Sequence, residues 1–119
     1  MEYKYFSQAD FDRCVPPCKI TDMDADTLRM FDLAREIAGI PFVVNSAYRS
    51  REHELNRGRD GESAHVSGHA MDIAATDSRS RYIVMFALHK AGFTRIGIHA
   101  RFIHADNDKT KADRVAWMY

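Results

Sequence analysis

The chain has 119 residues, enough for one domain built around a single core. Its 17 basic residues are balanced by 17 acidic ones, so no charge excess recommends a nucleic-acid partner. No apolar run approaches the ~20 residues that span a bilayer, and Met1-Glu2-Tyr3-Lys4-Tyr5-Phe6 lacks the apolar stretch of a signal peptide, so synthesis in the cytoplasm and no membrane partner are expected.

Residues 1–20 read as an irregular segment containing Pro16-Pro17 and two cysteines, Cys14 and Cys18. Free thiols are the expectation in a cytosolic protein. A tight disulfide after release is an alternative, and a second metal site lacks two further ligands at suitable spacing. Asp24 to Ala38 reads as a helix: Leu28, Phe31, Ala34 and Ile37 recur on one face, Asp24 caps the start and Gly39 ends it. Pro41-Phe42-Val43-Val44-Asn45 reads as a strand leading into Arg49, and Ser50 to Arg57 as a short helix followed by a polar loop through Glu62. Ala70-Met71-Asp72-Ile73-Ala74 suits a short buried strand, and Ser78 to Ala91 a second amphipathic helix stopped by Gly92. Thr94 to Ile98 and Phe102 to Ala105 are short apolar runs that His99-Ala100-Arg101 can join as a hairpin. Lys109 to Tyr119 reads as a polar tail whose Trp117 and Tyr119 pack back on the core. There is no internal repeat and no low-complexity linker. This order of elements fits an α+β domain with an antiparallel sheet.

The chemistry concentrates in Ser63-Ala64-His65-Val66-Ser67-Gly68-His69-Ala70-Met71-Asp72-Ile73, answered later by Phe102-Ile103-His104-Ala105-Asp106. Two imidazoles and a carboxylate are a ligand set that zinc accepts, with a coordination position left for water. His65 and Asp72 are seven residues apart; on a helix that is two turns, about 10 Å, too far for both to reach one ion. The chain must therefore bend between them, and Gly68 permits an unusual turn or a close backbone approach. An aspartate in a buried strand needs a partner or a metal. The competing reading is an ordinary loop whose His and Asp hydrogen-bond each other. His104 and Asp106 project from one face of their strand, because side chains alternate. A core histidine satisfied by a carbonyl is the plain alternative for His104.

The pattern Ser-x-His-x-x-Gly-x-Ala-x-Asp, preceded by Ser46-Ala47-Tyr48-Arg49-Ser50 and followed by His104, resembles the D-alanyl-D-alanine carboxypeptidase-like zinc peptidases. That group includes the L-alanyl-D-glutamate endopeptidases of phage lysins, and its fold is shared with the Hedgehog signalling domain. The resemblance spans roughly residues 20 to 119. It implies a Hedgehog/DD-peptidase-like α+β fold, with residues 21–119 forming a single zinc peptidase domain after the N-terminal 1–20. It implies one Zn2+ held by His65, Asp72 and His104, with Arg49 beside the metal holding a substrate carbonyl or carboxylate. Ser63 matches the motif serine and is expected to contact substrate or a ligand. His99, five residues before His104, is expected to stabilise the oxyanion. Where several members carry a Glu or Asp base three residues before the last histidine, this chain has Arg101. The base is therefore left among Asp106, Glu62 and His99, with Asp106 first. Orienting a ligand, or standing as a satisfied strand-end aspartate, are the alternative readings of Asp106.

The implied activity is hydrolysis of an amide bond in a peptidoglycan stem peptide, by carboxypeptidase or endopeptidase action, by a monomer that reaches the wall after lysis or export. A zinc-stabilised binding domain of the same fold without turnover is the alternative, and a cytosolic peptidase for D-amino-acid dipeptides differs only in substrate. His69 reads as a loop histidine, His53 as part of a solvated helix face, and His89 as a cation suited to a helix C-terminus.

Overall fold

The computed structural model describes residues 3–119, so Met1 and Glu2 of the opening segment lie outside the described residues. The strands are β1 (Val44–Ser46), β2 (Ala70–Ala74), β3 (Arg95–Ile98), β4 (Phe102–Asp106) and β5 (Val115–Met118), in the sheet order β1-β2-β4-β3-β5. The helices are α1 (Gln8–Asp12), α2 (Ala25–Ala38), α3 (Arg51–Asn56) and α4 (Ser78–Lys90), with a 3-10 turn at Ile20–Asp22. The result is a mixed α+β domain, with helices packed on a five-stranded sheet.

Helix α2 forms as its sequence dictates. The Asp24 carboxylate accepts from Thr27 N–H at 2.9 Å, satisfying one of the free N-terminal donors, and Gly39 closes the other end at φ 69°. Leu28, Phe31 and Ala34 are buried, whereas Ile37, expected on the same stripe, stands 38% exposed in the final turn. Asp77 caps α4 in the same way, accepting from Ser80 N–H. α2 and α4 pack on each other, and α4 also packs on β4. Between them lies the core: Met71, Ile73, Ile103 and Ala105 from one face of the sheet, with Leu28, Leu88 and the rings of Phe31 and Phe93, whose centroids are 4.4 Å apart.

Strand alternation sends the other residues of β2 and β4 to the opposite face, and the pairing register fixes who meets there. Ser46 pairs with Asp72, Asp72 with His104, His104 with Gly97, and Gly97 with Trp117, one row running across all five strands. A second row, one alternation further on, pairs Ala70 with Asp106 and Asp106 with Arg95. Hydrophobic burial on one face thus sets the register of the polar groups on the other.

Three local expectations are corrected. The segment expected to be irregular contains α1 and buries Phe6, Phe11 and Cys14 in the core; both cysteines are free thiols. The first strand begins at Val44 instead of Pro41, because a proline donates no ladder hydrogen bond, and its register shifts by a bulge before Ser46. The tail is a fifth strand, parallel to β3. β4 has already returned the chain antiparallel to β3, so residues 107–114 only pass the end of β3, where Asp106 and Val115 both lie level with Arg95. Val115 N–H then bonds Thr94 O and Tyr119 N–H bonds Ile98 O. Among the described residues, no helix is long and apolar enough to cross a membrane.

Gly68 makes the bend between the two halves of the motif. It sits at φ 76°, and a Cβ there would lie 2.4 Å from Asp22 O. Its own carbonyl accepts from Asp24 N–H at 2.9 Å, tying the bend to the start of α2. Both the turn and the close approach are therefore present. Gly68→Ala combines left-handed strain with a clash against rigid backbone and is expected to destabilise the fold by about 2–4 kcal/mol. Urea denaturation of the metal-free protein measures this; a loss under about 0.5 kcal/mol contradicts the geometry.

Candidate metal centre

Three buried side chains from two adjacent strands and one loop converge: His65, Asp72 and His104, each offering one ligand atom, all within 4.8 Å of one another. His65 comes from the turn before Gly68. Its Nδ1 lies 2.6 Å from Ala47 O, which can only accept, so Nδ1 carries the proton and Nε2 presents a lone pair. That Nε2 lies 3.3 Å from Asp72 Oδ1. His104 lies between two carboxylates, with Nε2 2.7 Å from Asp106 Oδ2 and Nδ1 2.9 Å from Asp72 Oδ1.

This arrangement tests the fit of a cation. The carbonyl of Ala47 fixes the tautomer of His65. The Asp106 carboxylate accepts a hydrogen bond from His104 Nε2. Two imidazole lone pairs and an anionic oxygen then face one another in a buried space, which is unfavourable unless a proton or a cation lies among them. Nitrogen, nitrogen and carboxylate oxygen are the donors of a catalytic zinc site. The residues fit the ion.

Electrostatics agree. Burial pushes the Asp72 carboxyl upward, but hydrogen bonds with His104 and His65 outweigh it and hold the group well below the ordinary carboxylate range. Burial lowers His104, yet hydrogen bonds to Asp106 and Asp72 leave its pKa raised above 6.5. In the metal-free protein the two carboxylates favour the protonated ring of His104, and a bound ion competes with that proton. Because only the deprotonated ring binds metal, the affinity for a metal ion such as zinc is expected to rise with pH. The slope is up to about tenfold per unit below the raised His104 pKa, with a plateau above it. Competition against a chromophoric chelator between pH 5.5 and 8.5 reads the slope; a flat profile removes His104 from the ligand set.

Asp106 is fully engaged. Oδ2 holds His104, while Oδ1 accepts from Arg95 Nε at 2.7 Å and from Asp108 N–H at 3.2 Å. A metal-ligating histidine whose second nitrogen is held by a carboxylate has its ring orientation and basicity set by that partner. The row geometry explains the contact: Asp106 follows His104 by two positions on the same strand face.

A cavity of about 360 Å3 opens over these groups, walled by Arg49, Arg59, Ser63, Phe102, Lys111, Trp117 and Tyr119 among others. Arg49 is mostly buried. Its backbone N–H donates to His65 O at 3.2 Å, its Nη1 donates to Ser46 Oγ at 3.2 Å, and its Nε lies 3.4 Å from Glu54 Oε2. Ser63 also lines the cavity, with its Oγ accepting from His65 N–H at 3.2 Å. Trp117 lies flat over Gly97, where a Cβ would meet its ring at 2.7 Å, and its centroid is 5.4 Å from that of His104. Gly97 is what lets the indole cover the site. Trp117 packs back as expected of the tail, whereas Tyr119 is 63% exposed at the rim.

Two of the candidates stand apart. The His99 ring stacks on Phe102 at 4.4 Å and accepts from Arg101 N–H through Nδ1, outside the cavity wall. Glu62 is exposed and paired with Arg51 at 3.2 Å. Among the plain readings, His69 bonds Ser67 Oγ at 2.8 Å beside the Asp24 cap and is only partly exposed. The sequence reading missed Glu54, Arg59, Arg95 and Lys111. Arg95 had a signal: a cation in an apolar strand needs a partner, and the hairpin register places Asp106 opposite. The others lie in a short helix and polar loops, where no periodicity marks them.

The family model of Peptidase M15 matches residues 4–106. Among solved structures, the chain is similar to the L-Ala D-Glu endopeptidase ChiX of Serratia marcescens, with a TM-score of 0.52 and 22% identity over 60% of this chain and 62% of that one. This chain thus spans less than two thirds of that endopeptidase, and the likeness is one of fold. A search of curated proteins gives no match.

Proposed function

The chain belongs to the Peptidase M15 family, and from that premise we propose that it is a zinc-dependent peptidase cutting an amide bond in the stem peptides of bacterial peptidoglycan. The observation that carries the reading is the convergence of His65 Nε2, His104 Nδ1 and an Asp72 oxygen on one point beneath a cavity walled by Arg49. A peptidoglycan substrate is supported by the family and by the printed activity of the Serratia neighbour, L-Ala D-Glu endopeptidase.

His65, Asp72 and His104 would hold one zinc ion, which when bound supplies Lewis-acid polarisation of a carbonyl and a more acidic water at neutral pH. The chain's own residues do the rest. Ala47 O holds the His65 ring through Nδ1–H. Arg49, anchored to Ser46 and Glu54, presents a permanent planar cation to the oxygen that gains charge as the carbonyl becomes tetrahedral. Ser63 holds the His65 backbone and offers its hydroxyl at the cavity wall. Phe102, Trp117 and Tyr119 form an aromatic wall that limits water on the β5 side.

We assign Asp106 to holding His104, since both of its oxygens are already engaged. Asp106→Asn is expected to weaken zinc affinity about 10- to 100-fold, with hydrolysis recovered at saturating zinc. Turnover that stays lost in fully loaded protein would instead make Asp106 the proton acceptor. Mass spectrometry of intact peptidoglycan and purified stem peptides after incubation with the zinc-loaded protein tests the function itself. An internal cut identifies an endopeptidase and loss of terminal D-alanine a carboxypeptidase. The absence of any cleavage refutes the reading.

A further inference from the structure

Beside the metal centre lies a carboxylate that the reaction chemistry does not use. Glu54, on α3, is completely buried. Its Oε2 is 2.7 Å from Arg59 Nη1 and 3.4 Å from Arg49 Nε, while its Oε1 has no hydrogen-bond partner among the described residues. A buried carboxylate in that state is costly, and a helix of ordinary sequence would place an apolar residue there. The local chain is built around it. The Glu54 carbonyl accepts from both Arg57 N–H and Arg59 N–H, so the loop after α3 wraps back and returns Arg59 over the Glu54 side chain.

The product of this arrangement is two guanidinium groups held by one carboxylate. Arg49 and Arg59 both line the cavity above His65, Asp72 and His104. One negative charge shared by two cations leaves the group with a net positive charge. Beyond Glu54, the Arg59 side chain has no other protein partner among the described residues. Lys111, on the same wall, is already committed to Glu62 O and Asp108. Arg49 is tied to the ligand loop by its backbone bond to His65 and to β1 by its Ser46 contact. The Arg59 side chain, 48% exposed, reaches the same cavity from the loop after α3 and is open to a further group of the substrate.

We propose that Arg59 is a second substrate contact that selects a free carboxylate next to the scissile bond. Glu54 is the positioning residue that sets Arg59 and Arg49 side by side. The inference rests on the peptidase reading above and adds a substrate class to it: stem peptides whose flanking residue carries an ionised carboxylate, in preference to the amidated forms. Guanidinium pairs with carboxylate through two parallel charge-assisted hydrogen bonds, whereas a carboxamide of the same shape offers one acceptor oxygen and no charge.

The test uses zinc-loaded protein and stem peptides in two forms, with the D-glutamyl α-carboxylate free or converted to carboxamide, and measures kcat and KM for each. The wild type is expected to prefer the free carboxylate by about 10- to 100-fold in kcat/KM. Arg59→Ala is expected to reduce that ratio to about threefold or less, mainly through KM for the carboxylate form. Arg59→Lys should retain part of the preference, because a charge remains without the planar fork. Glu54→Gln, nearly isosteric, should lower the ratio while zinc stoichiometry stays at one. If Glu54→Gln fails to fold, the Arg59 pair alone decides. A wild type indifferent to amidation, or an Arg59→Ala ratio equal to that of the wild type, overturns the inference and leaves the peptidase reading standing. Cleavage of neither form by wild type overturns the reading and the inference with it.

Discussion

His65→Ala is expected to lose tight zinc binding and to reduce stem-peptide hydrolysis by about 10³-fold or more, since Lewis-acid activation supplies several kcal/mol of the barrier reduction. The change removes one of only three protein donors and leaves a carboxylate and one imidazole, a pair that cannot close a zinc site. It also frees the Ala47 carbonyl, which His65 Nδ1 approaches at 2.6 Å, so the backbone leading to Arg49 loses an anchor. The loss should therefore exceed what metal depletion alone produces, and added zinc should not restore it. Equilibrium dialysis with a hydrolysis assay on the same samples measures both effects. Retention of one zinc per chain in the variant contradicts the ligand assignment.

Arg49→Ala is the second large effect, and it should separate from the first. Arg49 touches no candidate ligand side chain; it is held by Ser46, Glu54 and the His65 backbone. Zinc affinity should then change little, while kcat falls about 10²- to 10³-fold, the cost of removing an oxyanion donor. Arg49→Lys should recover only a small part, because the ammonium cannot make the forked contact. One structural consequence complicates the alanine variant: Glu54 loses one of two cations and keeps Arg59 alone, so some stability is lost as well. Steady-state kinetics on zinc-saturated protein, with unfolding as a control, distinguishes the two. An unchanged kcat removes Arg49 from the chemistry.

The parts of this molecule that its sequence made legible are those governed by local rules. Helices α2 and α4 were visible because period and stop agree, with Gly39 and Gly92 following their ends, and Asp24 also caps the first; the Asp77 cap of α4 appeared only in the structure. The hairpin was visible because two short apolar runs flank three residues; its register pairs His104 with Gly97, and the separate pairing of β4 with β2 brings His104 opposite Asp72. Gly68 was readable because a bend was needed between His65 and Asp72, and the structure shows both a positive φ and a backbone neighbour that excludes a Cβ. What stayed hidden depends on contacts distant in sequence. The burial of Phe6 and Phe11 requires the first segment to dock, which no periodicity in it announces. The fifth strand hides in the tail because only its pairing with β3 makes it a strand.

The same distinction holds within the site. His65, Asp72, His104 and Arg49 came from motif spacing and resemblance, and the structure brings all four to one cavity. The pairing of Asp106 with His104 follows from strand alternation, so it was half legible: the shared face was clear, the two occupied oxygens were not. His99 kept its place in the hairpin but stacks on Phe102, because an aromatic neighbour three positions on, across a tight turn, captures the ring. Glu54 and Arg59 were invisible because a buried glutamate in a polar helix looks like a solvated one until the loop folds over it.

The claim on which everything else depends is that one ion held by His65, Asp72 and His104 drives amide hydrolysis. The direct measurement is the rate of stem-peptide cleavage, followed by mass spectrometry, as zinc is titrated into chelator-stripped protein of known concentration. The account predicts no cleavage in the stripped protein and a rate that rises in proportion to bound zinc, saturating at one ion per chain. Cleavage that survives stripping would contradict the role of the ion, and saturation at one ion with no cleavage would contradict turnover and leave a metal-stabilised binding domain.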